Sequence, residues 1–114
     1  IPELQKSETA QKFPGAKSSG IPDMKACVLR THEKIEHWQL TNFINELKTF
    51  CPRIKGFFNL KNGKVISVHS VFDETNIKEI NNYTGPSELI AFSKELTFIE
   101  LKKRFKNHLS VSHQ

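Results

Sequence analysis

The sequence predicts an α+β domain of order β-α-β-β-β-α, in which a mostly antiparallel four-stranded sheet carries two helices on one face. Three observations predict it. Asn62-Gly63 lies between two runs of apolar residues, the strongest short-range hairpin signal. Leu40, Phe43, Ile44 and Leu47 recur at spacings of three and four, as do Phe98, Leu101, Phe105 and Leu109, which marks two amphipathic helices. Short apolar runs at Met24–Leu29 and Glu88–Phe92, bounded by polar residues, read as strands.

Residues 1–22 hold three of the five prolines, two of the five glycines and a Ser18-Ser19-Gly20 run, with almost no apolar periodicity. They read as a polar linker from an upstream domain, leaving 23–114 as the folded unit. The lack of an initiator Met fits a fragment or a processed chain. The first strand, Met24–Leu29, is followed by polar Arg30–Lys34 and then by a helix from near Glu36. Gln39, Asn42, Asn45, Glu46 and Lys48 fall on its outer side, and Pro52 stops it by disfavouring a helical Cys51.

Ile54–Leu60 and Lys64–Phe72 form the hairpin. A two-residue turn would split the apolar residues of the second strand between both faces. A three-residue loop, Lys61-Asn62-Gly63 with a left-handed Gly63, instead puts Ile54, Gly56, Phe58 and Leu60 on one face with Ile66, Val68 and Phe72. Lys55, Phe57, Asn59, Val65, His69 and Val71 then share the other face. Gly56 is read as permitting close approach of Val68 or the first helix. After an irregular stretch from Asp73 to Pro86 comes the strand Glu88–Phe92. The final helix, Leu96–Leu109, opens with a Thr97/Glu100 capping box and a Leu96/Leu101 hydrophobic staple, and it turns Phe98, Leu101, Phe105 and Leu109 inward.

Composition narrows the function. At 114 residues, 37% hydrophobic with nine Phe, the chain has apolar material for one packed core. The net charge is +5, and it falls only to +4 without the first 22 residues, so the charge belongs to the folded part. The dense run Lys102, Lys103, Arg104 and Lys106 lies near a helix C-terminus, where cations oppose the helix dipole, and reads as a solvated face. Cys27 and Cys51 lack C-x-x-C spacing, which points to inert core thiols in a reducing, cytoplasmic setting. No window approaches the ~18 apolar residues of a membrane span.

No residues assemble into a catalytic or cofactor site. Asn62-Gly63-Lys64 lacks the spacing and following helix of a phosphate-binding loop. His32, His37, His69, His108 and His113 form no i, i+4 pair and read as structural or exposed, so no metal ligand is assigned; mid-strand His69 is the most noteworthy. Phe57 beside Lys55 and Arg53 gives an alternative reading, a small basic nucleic-acid-binding module, but the dense aromatic motif of RNA-binding sheets is missing and the strand order differs.

Arg53-Ile54-Lys55-Gly56-Phe57-Phe58-Asn59-Leu60 resembles the Arg-x-Lys-Gly strand of the C-terminal domain of CobW-family GTPase metallochaperones. Leu29-Arg30, about two dozen residues upstream, and Ser87–Phe92 followed by Leu96-Thr97 match that domain in order and spacing. The similarity spans Met24 to Leu109. Ser93 and Asn59 depart from it, where family members often carry Gly and an aromatic residue. The resemblance implies an upstream P-loop GTPase domain binding GTP, Mg and zinc or cobalt, with roles in zinc homeostasis or cobalamin biosynthesis. For this chain it implies a non-enzymatic docking or regulatory module whose partners are that GTPase domain and a metalloprotein client. Nucleic acid and membrane are not expected partners, and homo-oligomers through a free sheet edge are possible. Arg53, Lys55, Phe57 and His69 are the candidate partner-binding residues.

Overall fold

The computed structural model describes residues 24–112; the segment read as a linker and His113 lie outside them. Seven elements follow in order: β1 (Lys25–Thr31), α1 (His37–Leu47), β2 (Arg53–Asn59), β3 (Val65–Val71), β4 (Glu74–Ile80), β5 (Ser87–Ser93) and α2 (Phe98–Leu109). The strands form one five-stranded sheet in the order β1-β5-β2-β3-β4, antiparallel at every pairing. The last strand is thus inserted between the first and second.

The fifth strand corrects the sequence reading of Asp73–Pro86 as irregular. Val71 faces Glu74 across a two-residue turn. Phe72 takes the left-handed conformation there, with φ 53°. β4 sits at the sheet edge with nearly every side chain partly or fully exposed, so it carries no apolar alternation to announce it. Phe72, expected on the buried face, is 61% exposed. Ser70 and Thr75 meet on the buried face at this end of the hairpin, their hydroxyl oxygens 3.3 Å apart.

The β2–β3 hairpin has the register expected of the three-residue loop. Phe58 faces Ile66, Gly56 faces Val68, and Gly63 is left-handed at φ 91°. Close approach at Gly56 comes from a different neighbour than expected. A Cβ there would lie 2.3 Å from Glu88 O and 2.9 Å from Leu89 Cα, so it is the backbone of β5 that needs the glycine.

α1 begins with a capping box in which Glu36 and Gln39 satisfy each other's backbone N–H. Gln39 was expected outside and is instead buried. Its Nε2 donates to the carbonyls of Leu109 (3.3 Å) and Val111 (3.0 Å), tying the start of α1 to the end of α2. Thr97 caps α2 by accepting from Glu100 N at 3.1 Å, and Leu96 and Leu101 are both buried, as the staple requires. Phe98 breaks the expected stripe at 51% exposed, because Leu96, just before the helix, fills the core at this end.

Leu40, Phe43, Ile44 and Leu47 of α1 and Leu101 and Phe105 of α2 join Cys27, Leu29, Ile54, Phe58, Ile66, Val68, Leu89 and Ala91 of the sheet in one buried cluster. Phe105 is central, with its ring 5.4 Å from Phe43 and 6.2 Å from Phe58. The basic run of α2 is only partly a solvated face. Lys102 and Lys103 are exposed, whereas Arg104 pairs with Glu46 and Glu100 and lies 4.8 Å from the Phe50 ring centroid. His108 also reaches Glu46, and Lys106 reaches Glu33 at 2.9 Å. The helices are therefore joined by charge as well as by packing.

Candidate functional site

Strand alternation gives the sheet two unlike faces. The inner face carries the buried cluster. The outer face displays Ala26, Val28 and Arg30 from β1, Glu88, Ile90 and Phe92 from β5, Arg53, Lys55 and Phe57 from β2, and Ser67, His69 and Val71 from β3. No helix residue of the buried cluster belongs to it.

Pairing register sorts these side chains into rows, because residues directly opposite in antiparallel strands share a face. One row runs Ala26, Phe92, Arg53, Val71 and Glu74; the next Val28, Ile90, Lys55, His69 and Asn76; the third Arg30, Glu88, Phe57, Ser67 and Lys78. The first row is organised by Arg53, whose guanidinium lies 5.9 Å from the Phe92 ring centroid. In the third, Arg30 Nε donates to Glu88 at 2.8 Å, so those charges neutralise each other. Phe57 stacks on Tyr83 with centroids 5.2 Å apart, and the Tyr83 hydroxyl donates to Pro86 O at 2.7 Å, which fixes the ring over the strand.

The middle row is different. Lys55 and His69 face each other across β2 and β3 and have no ion-pair partner among the described residues. Phe57 and Val71, each more than a third exposed, flank them along β2 and β3, and Ile90 lies opposite Lys55 on β5. Of the candidate partner-binding residues, the fold therefore brings Arg53, Lys55, Phe57 and His69 onto one surface, with Arg53 and Phe57 already engaged by rings of their own chain. Sequence reasoning missed Tyr83, Phe92, Val28 and Ile90 as members of this surface. The alternation of β1 and β5 could have placed the last three, whereas Tyr83 reaches the face from a loop.

Elsewhere the chemistry is sparse. Among the described residues, no three His, Cys, Asp or Glu side chains are grouped to hold a metal ion, and no helix is long and apolar enough to cross a membrane. Cys27 and Cys51 are buried free thiols. Burial pushes the Cys51 thiol up to about 11, reinforced by nearby Cys27 against a hydrogen bond with Ser93, and it raises Cys27 as well. Cys27 Sγ donates to Leu96 O at 3.0 Å. Both thiols are packed, un-ionised groups with little nucleophilicity.

No protein-family model matches the chain, and no curated protein matches it. Two solved structures share its fold. Zn(II)-bound YjiA GTPase from E. coli superposes with a TM-score of 0.62 at 13% identity, and a Zn(II)-bound triple mutant of YjiA GTPase with 0.64 at 12%. Each match covers 75% of this chain but 29% of the GTPase, so the chain spans less than a third of those proteins. At this identity the likeness is one of fold. A match to part of a larger GTPase is consistent with the CobW C-terminal resemblance read from the sequence.

Proposed function

We propose that the chain is the non-catalytic interaction domain of a CobW-type, GTP-dependent metal chaperone, and that it docks the GTPase domain or a metalloprotein client through the outer face of its sheet. The observation that carries this reading is that outer face, where Val28, Ile90, Phe57 and Val71 share one surface with Lys55 and His69, neither of which has an ion-pair partner among the described residues. Apolar seats around a few fixed charges are what a protein partner needs to gain both contact area and register. GTP, Mg and zinc or cobalt belong, on this reading, to the GTPase domain, and the present residues act by binding and orienting it. The fold shared with part of YjiA, a CobW-family metallochaperone, supports the assignment.

The coding sequence upstream of Ile1 tests the first half: a P-loop is expected there, and its lack would overturn the reading. Titration of the chain with that upstream half, with and without GTP, tests the second. Phe57→Ala with Lys55→Glu is expected to weaken binding about tenfold or more, as loss of an aromatic anchor and a rim charge does. Unchanged affinity would remove the outer face from the interface. Oligonucleotide binding that falls steeply with salt would instead favour the basic nucleic-acid module.

A further inference from the structure

Among the described residues the edge strand β4 has a second surface, a backbone edge that no other strand covers. The bonds Leu60 N–H to Lys64 O (2.8 Å) and Phe72 N–H to Pro52 O (2.7 Å) fix which residues of β3 point toward β2: the even-numbered ones. Odd-numbered β3 residues therefore bond β4, and their partners there are Glu74, Asn76, Lys78 and Ile80. Thr75, Ile77 and Glu79 are left with N–H and C=O groups directed out of the sheet.

We propose that β4 pairs with β4 of a second copy of this chain, antiparallel about a twofold axis through Asn76, joining two sheets into one of ten strands. The argument is charge complementarity. Twofold pairing allows only registers in which outward-directed residues meet one another. Centred on Asn76, Thr75 and Ile77 exchange backbone bonds with Ile77 and Thr75 of the second copy. Glu74 then stands directly opposite Lys78 of the second copy, twice by symmetry, at the closer, non-hydrogen-bonded kind of pair. Centring on Ile77 makes that charge contact only diagonal, and centring on Lys78 sets two lysines against each other. Glu79, on the other face, comes opposite Asp73 in the turn of the second copy, but it is already paired with Lys64 at 3.1 Å, which offsets that like charge. Ile77 gains cover as well: it sits beside buried Val68 but is itself 38% exposed.

The inference is independent of the proposed docking role. It is tested by sedimentation of the 114-residue chain over a range of concentrations, with circular dichroism to verify that each variant is folded. Glu74→Lys or Lys78→Glu alone turns two attractive cross-strand pairs into two repulsive ones and is expected to weaken dimerisation on the order of tenfold, while the double exchange restores it. Asn76→Cys is expected to form an intermolecular disulfide readily, and Ile77→Cys poorly, which reads the register. A chain that stays monomeric at millimolar concentration, or a dimer indifferent to charge reversal, would overturn the proposal.

Discussion

The two faces of the sheet are built from the same strands yet hold different kinds of residue. On the inner face Ile54, Phe58, Val68, Leu89 and Ala91 are almost wholly removed from water beneath α1 and α2. On the outer face Phe57 and Val71, on those same central strands, remain more than a third exposed, interleaved with Arg53, Lys55 and His69. The inner face is where folding free energy is gained. The outer face leaves apolar area exposed, which a face optimised only for water would not do.

Substitutions separate these roles. Phe105→Ala is expected to cost about 3–5 kcal/mol in chemical denaturation, because the ring fills the centre of the buried cluster between Phe43 and Phe58. A loss below about 1 kcal/mol would mean that the helices add little to the sheet. Gly56→Ala comes next, at about 1–3 kcal/mol, since the new methyl group meets the backbone of β5 and no side chain can move to admit it. Wild-type stability in this variant would contradict the close β2–β5 approach.

Glu46 provides a test by pH. Its burial opposes ionisation, but hydrogen bonds from His108 and Arg104 and their charges outweigh this and hold its carboxyl below the usual range. A carboxylate with a lowered folded pKa stabilises the fold above the unfolded value of about 4.3 and loses that contribution as pH falls through the folded value. Glu46→Gln should therefore reduce stability near neutral pH and flatten its decline in acid, measured as urea midpoint against pH. An unchanged acid limb would show that the α1–α2 charge cluster contributes nothing.

The outer face should respond least. Phe57→Ala is expected to cost about 1 kcal/mol through loss of the Tyr83 stack, and Lys55→Glu less than about 0.5 kcal/mol. A large loss of stability from Lys55→Glu would make this face structural and erase the contrast. Thiol labelling offers a last check, since Cys27 and Cys51 should both resist iodoacetamide at pH 8 until the protein is denatured.

Much of this was legible in the sequence, and the failures share a cause. The register of the β2–β3 hairpin follows from a left-handed Gly63 closing a three-residue loop, combined with the need to keep Ile66 and Val68 together. Thr97 and Leu96 announce the start of α2 because capping is local chemistry. What escaped depends on residues far apart in the chain. β4 is held by the backbone of β3 and by no apolar pattern of its own. Gln39 is buried because the carbonyls of Leu109 and Val111, about seventy residues away, receive its amide. Arg104 is drawn out of an otherwise solvated row by Glu46 on the neighbouring helix. For the outer face, alternation places Arg53, Lys55, Phe57 and His69 on one side, but their separation into residues engaged by rings of their own chain, Arg53 and Phe57, and residues without an ion-pair partner among those described, Lys55 and His69, required the positions of Phe92, Glu88 and Tyr83.

The insertion of β5 between β1 and β2 also bears on how the chain acquires its structure. The meander β2-β3-β4 joins neighbours in sequence and has short loops to close, whereas β1 has, among the described residues, no strand partner except β5, with Cys27 facing Ala91. During synthesis from the N-terminus, β1 emerges first and waits for almost the whole domain before it can enter a sheet. A nascent chain stopped before Ser87 would hold a formed meander beside an unpartnered β1, which makes the arrival of β5 the late, committing event of folding.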